Sequence, residues 1–166
     1  MKHPVLFKKW VAPILLCALL TGCATAPVKL NTPSGRPEVT IFGSTKKKIS
    51  NTIINRELSK GWDLKSQADS LLVFTRKNTE LGTQLLFGSR YDSVPESRIT
   101  FTLVEIEDAI RVLLKGEIVT NPGSTFERIE DVTAINAAEA EALQIALEEI
   151  KTGIEATNNR DGVVSR

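Results

Sequence analysis

Ile99, Phe101 and Leu103 alternate with Thr100 and Thr102, and Ile110, Val112, Leu114 and Ile118 alternate with Arg111, Lys115 and Glu117. A period of two over adjoining segments predicts two strands with one buried face. Glu107-Asp108 between them predicts the turn of an antiparallel pair. The apolar side of such a sheet needs a cover. One is written further along: Ala140, Leu143, Leu147, Ile150 and Ile154 fall on one side of a helix, and Asn136 with Glu139 forms a capping box at its start. Thr157 to Arg166 is polar and reads as a disordered tail.

The first half adds a strand, a helix and a hairpin. Val39 to Phe42 is a short strand stopped at Gly43. Ser44 or Thr45 caps a helix with Ile49, Ile53, Ile54 and Leu58 on one face, and Lys60-Gly61 ends it. Trp62 to Ser66 and Leu71 to Arg76 form a hairpin around Gln67-Ala68-Asp69-Ser70, with Leu72 and Phe74 facing one side. Residues 79–96 fit a short helix through Leu81, Leu85 and Leu86 ended at Gly88, or equally a strand at Leu85-Leu86-Phe87. Asn121-Pro122-Gly123-Ser124 is a turn, and Phe126 to Val132 is a last strand with Phe126 as its first core residue. The sum is a single α+β domain over residues 39–156, an antiparallel sheet with two helices packed on one face, in the order β-α-β-β-(α or β)-β-β-α.

This order is similar to that of helix-grip domains in some envelope lipoproteins, including accessory lipoproteins of the outer-membrane protein assembly machine. The likeness carries no site residues across.

Residues 1–22 are laid out as a secretory signal, with Lys2, Lys8 and Lys9 ahead of an apolar run from Val11 to Leu20 that only Pro13 interrupts. The run is half of the roughly 20 residues a spanning helix needs. It leads into Leu20-Thr21-Gly22-Cys23, which resembles the bacterial lipobox in every position. The resemblance implies cleavage after Gly22, diacylglycerol on the Cys23 thiol and acylation of the new amino terminus. Several acyl chains, at ~0.8 kcal/mol per buried methylene, make a stable anchor where one chain is marginal. Ala24, where an Asp tends to retain enterobacterial lipoproteins at the inner membrane, resembles the outer-membrane class. Residues 23–38 then read as lipidated cysteine and flexible tether, since Pro27, Pro33, Gly35 and Pro37 suit no regular element. The segments Gly35-Arg36-Pro37-Glu38-Val39, Leu86-Phe87-Gly88-Ser89-Arg90-Tyr91 and Thr120-Asn121-Pro122-Gly123 are similar to a set of small proteobacterial envelope lipoproteins, a likeness that implies an address and no activity.

Cleavage takes Met1, His3, Trp10 and Cys17 with it, leaving no histidine, no methionine and no cysteine besides Cys23. Such a chain has no Cys/His zinc site, no haem axial histidine or methionine, no histidine-based triad and no disulfide. Loss of Lys2, Lys8 and Lys9 turns the formal charge of +1 into −2, which argues against nucleic acid as a partner. No metal or cofactor is expected.

The densest polar cluster is Arg90, Tyr91 and Asp92 with Glu96 and Arg98, a set able to read a partner's charges or to hold a long loop as an ion-pair network. The network is the simpler reading. Asp92 and Glu96 are the only candidates for a carboxylate pair in a cell-wall hydrolase. Gly43-Ser44-Thr45-Lys46-Lys47-Lys48 places lysines in a first helical turn, where an anionic headgroup or phosphate would fit, although a capped helix with a solvated basic turn is the simpler account. Trp62 reads as core, and the alanines at 137, 138, 140, 142 and 146 as a face packed on the protein's own sheet. The composition therefore predicts a non-catalytic binding or scaffolding module, and the lipobox resemblance implies that Cys23 anchors it at the periplasmic face of the outer membrane, with an envelope protein as partner. The alternative is a carrier of lipid or another apolar ligand, which needs a cavity between the last helix and the sheet.

Overall fold

Alternation becomes sheet in the computed structural model, which describes residues 28–78 and 94–164. Its elements are β1 (Glu38–Phe42), α1 (Lys46–Ser59), β2 (Asp63–Ala68), β3 (Leu71–Lys77), β4 (Glu96–Ile106), β5 (Ala109–Thr120), β6 (Arg128–Asp131), α2 (Val132–Ile135) and α3 (Ala137–Val164). β4 and β5 pair antiparallel along their full length, from Glu96 opposite Val119 to Ile106 opposite Ala109. Glu107, with a φ of 44°, takes the left-handed conformation that a two-residue hairpin turn requires.

The sheet is antiparallel throughout, in the order β1-β5-β4-β3-β2. β6 shares the outer edge of β5 with β1: β1 takes Ala109 to Leu113, and β6 takes Glu117 to Thr120. Pairing fixes which residues face the helices. Leu72 and Phe74, Ile99, Phe101 and Leu103, Ile110, Val112 and Leu114 form one buried cluster with Ile49 and Ile53 of α1 and Leu147, Ile150 and Ile154 of α3. Both long helices thus cover the same face, and the fold is α+β. The expected alternation of β5 holds through Leu114, but Ile118 is only half-buried while Val119, on the opposite face, is fully buried.

Each helix starts where a polar side chain replaces a missing backbone acceptor. The Thr45 hydroxyl accepts from Lys48 N–H, and Asn136 Oδ1 accepts from Ala138 and Glu139 N–H. Gly61, at a φ of 78°, turns the chain out of α1 into β2. Arg56 Nη2 donates to Glu149 Oε2 at 2.5 Å, joining α1 to α3 and holding the Glu149 carboxyl below its ordinary range. Gln144 of α3 blocks the edge of β1, accepting from Glu38 N–H at 2.8 Å and donating to Glu38 O at 3.1 Å.

Four expectations change. The stretch read as tether is, from Val28 onward, part of the folded unit: Val28 N–H donates to Ala134 O, Leu30 N–H to Gly35 O, and Leu114 N–H to Pro37 O, with Pro37 fully buried. These bonds use backbone groups, so prolines and glycines in the segment do not prevent them. The tail read as disordered is helical to Val164, and Asn158 Nδ2 donates to Gly43 O at 2.9 Å. Phe126 is 77% exposed and precedes the strand, which runs only from Arg128 to Asp131. There the chain enters α2, because Asp131 Oδ1 accepts from Thr133 and Ala134 N–H and caps a helical turn. Residues 79–93, where helix and strand fit equally well, lie outside the described residues.

Candidate binding cavity

At the end of the sheet where β4 begins and β5 ends, the helices leave part of the apolar face uncovered. The register sets Arg76 of β3 beside Ser97 of β4 and Ser97 beside Ile118 of β5. Ile99 and Gly116 form the next row. These five residues floor a cavity of about 380 Å³, within the range that small ligands occupy. Trp62 walls one side. Val132 of α2, the capping Asn136, and Glu139 and Leu143 of α3 wall the other.

The walls are positioned by local chemistry. Trp62 follows the Gly61 turn, donates its N–H to Glu57 O, and packs its ring against the core. The Arg76 guanidinium lies 4.6 Å from the Trp62 ring centroid, a cation–π stack that leaves its N–H edge for acceptors. Glu57, buried at the end of α1, has its carboxyl pushed up by burial, against the opposing pull of Lys60, Arg56 and Arg76. α3 reaches the sheet at Gly116, where a Cβ atom would stand 2.9 Å from Leu143 Cδ1 and 3.3 Å from Val132 Cγ2. Glycine is therefore the residue that lets α3 and α2 close this wall.

The cavity mixes apolar and polar groups. Ile99, Ile118, Val132 and Leu143 offer hydrocarbon; Arg76 and Arg98, Glu117 and Glu139, Asn78 and Asn136, and Ser97 offer cations, carboxylates, amides and a hydroxyl. The Asn136 carbonyl is committed to the helix cap, which leaves its Nδ2 donor for a ligand. Asn78 Nδ2 lies 3.4 Å from Ser97 Oγ. An apolar interior with polar groups around it holds and orients an amphiphilic group. Among the described residues, no group of three or more His, Cys, Asp or Glu side chains is placed to hold a metal ion.

Of the residues singled out in the sequence, Arg98 borders the cavity together with Glu117. Arg98 shares the helix-free face with Glu117, its cross-strand partner, and its guanidinium lies 4.0 Å from Glu117 and 3.8 Å from Glu127. Lys115 joins the same network through Glu117 at 2.6 Å and Asp131 at 3.6 Å, and its hydrogen bond to Glu117 raises the ammonium above its ordinary range. This network ties β6 and the turn before it to β4 and β5. Glu96 stands 4.0 Å from Lys65 and does not line the cavity. Arg90, Tyr91 and Asp92 lie outside the described residues, as do Leu86, Phe87 and Cys23.

Lys46, the first lysine of the basic turn, donates to Asp69 at 2.9 Å and Ser70 at 3.2 Å and lies 3.6 Å from Glu105, so it is satisfied within the protein. Of the five alanines read as a packing face, Ala140 is buried, Ala146 half-buried and the other three exposed. Trp62 is both core and cavity wall. Sequence reasoning missed Arg76, Ser97, Gly116, Asn136 and Glu139 as cavity residues. Gly116, a glycine inside an alternating strand, was the one readable sign of close approach.

The class defined by the fold is α+β, an antiparallel sheet carrying its helices on one face. Comparison with protein-family models, with curated proteins and with solved structures finds no match for this chain. Among the described residues, no helix is long and apolar enough to cross a membrane.

Proposed function

We propose that the chain is a non-catalytic binding module of the bacterial envelope, acylated on Cys23 and held at the periplasmic face of the outer membrane. It takes a segment of an envelope protein in the cavity between α3 and the sheet. The observation that carries the reading is that cavity, in which apolar side chains from four elements are ringed by guanidinium, carboxylate and amide groups. The lipobox supplies the address, and the loss of histidine and methionine with residues 1–22 supplies the non-catalytic character.

A second reading, carriage of a small amphiphile, draws on the same apolar floor at Ile99 and Ile118. In-cell photo-cross-linking separates the two. A benzophenone side chain at Glu139 is expected to give one dominant protein adduct when Cys23 is intact and several-fold less from the Cys23→Ser form. An adduct of lipid mass favours the carrier. No adduct from either form contradicts binding at the cavity.

A further inference from the structure

The route of the chain into the fold limits how the domain can sit on its membrane. Val28 N–H donates to Ala134 O at 3.1 Å, and the segment that follows is closed on itself by Leu30 N–H to Gly35 O and meets β5 where Pro37 O accepts from Leu114 N–H. From Cys23 to Val28 are five residue steps. Fully extended chain spans at most ~3.3–3.6 Å per residue, so Val28 stays within about 18 Å of the anchored cysteine and Ala134 one hydrogen bond beyond it. A bilayer's headgroup layer is itself about 5–8 Å deep on each side. The domain therefore has no long leash, and the edge that carries Ala134 is the one brought to the lipid.

That edge exposes three large apolar side chains among the charged Glu127, Arg128 and Glu130. Ile135, next to Ala134, is 59% exposed; Ile129 of β6 is 52% exposed, and Phe126, at the turn leading into β6, is 77% exposed. All three belong to the ten-residue stretch that runs along the outer side of β5. Large apolar side chains held in water by a rigid edge are favoured at a headgroup–acyl boundary. We infer that the β6–α2 edge rests on the membrane that holds the anchor, with Ile135, Ile129 and Phe126 entering its headgroup region. The inference rests on acylation of Cys23 and adds to it the surface that meets the lipid. The anchor and the apolar edge then act together, and the mouth of the neighbouring cavity is carried at a set height above the bilayer.

The test uses the full acylated chain in vesicles of phosphatidylethanolamine and phosphatidylglycerol with brominated acyl chains. Single cysteines, Ile135→Cys, Ile129→Cys and Phe126→Cys, carry a fluorescent label, since acylation blocks Cys23 and cleavage removes Cys17. The control is Leu71→Cys at the β2–β3 turn, a 38% exposed position three strands away and toward the other end of the sheet. Bromolipid quenching is expected to be at least threefold stronger at the three edge positions than at position 71. Equal quenching at all four positions, in protein that is acylated and floats with the vesicles, overturns the inference alone. Protein that carries no acyl group and does not float overturns the anchor reading and the inference together. Labels unquenched in vesicles but shielded in intact cells assign the edge to a protein partner, and this also overturns it.

Discussion

Replacing Phe101 with alanine is expected to cost the domain about 3–5 kcal/mol, a large share of the 5–15 kcal/mol that holds a typical domain together. Phe101 is fully buried at the middle of β4, and its ring meets that of Phe74 edge-to-face, with centroids 5.9 Å apart and planes at 86°. Truncation removes that contact, together with the hydrocarbon under both long helices, and β4 cannot shift to fill the void while its pairs with β3 and β5 fix its register. Urea unfolding of the Cys23→Ser form, followed through Trp62, reads the effect directly. A loss below about 1 kcal/mol would show that the two rings do not share one rigid core.

Gly116→Val is expected to be the second largest effect, about 1–3 kcal/mol of destabilisation by overpacking. The first added carbon already falls 2.9 Å from Leu143 Cδ1, and valine's two methyls press further on Val132 and Thr133. Leu143 can rotate away from a single methyl, so Gly116→Ala is expected to cost less than half as much. The larger side chain has to lift the first turns of α3 from β5, which also deforms the cavity. Amide hydrogen exchange would register the lift as faster exchange from Ala140 to Leu147, with the later turns at Ile150 and Ile154 unchanged. Identical exchange in Gly116→Val and the parent would contradict the close approach.

Much of the architecture is legible in the sequence because it rests on short-range patterns. The alternations at Ile99–Leu103 and Ile110–Leu114, the threonine and asparagine caps and the apolar stripe of the last helix each report local geometry. The docking of residues 28–37 is not legible in the same way. It is made by backbone groups such as Val28 N–H and Pro37 O, which leave no mark in side-chain identity, whereas the prolines beside them signal a linker. The four-residue α2 shows a related limit, since only the Asp131 cap announces it inside a segment that otherwise reads as strand.

The cavity was legible only as a requirement. Arg76, Ser97 and Ile118 are far apart in sequence and meet because β3, β4 and β5 share one register. The polar cluster chosen from sequence density proved divided by the same rule. Strand parity pairs Arg98 with Glu117, and the two help to hold β6 and the adjoining turn while also bordering the cavity. Phe126 shows why an apolar residue after a turn is a poor guide to burial when the strand that follows starts two residues later, at Arg128.

In the proposed function Cys23 joins the address, the orientation and the binding role, so its chemistry is the place to test the account. The measurement is the intact mass of the protein extracted from membranes by detergent. The account predicts a chain beginning at Cys23 that carries a diacylglyceryl group and one further acyl chain. A chain that retains residues 1–22, or that begins at Cys23 with a free thiol, would contradict it.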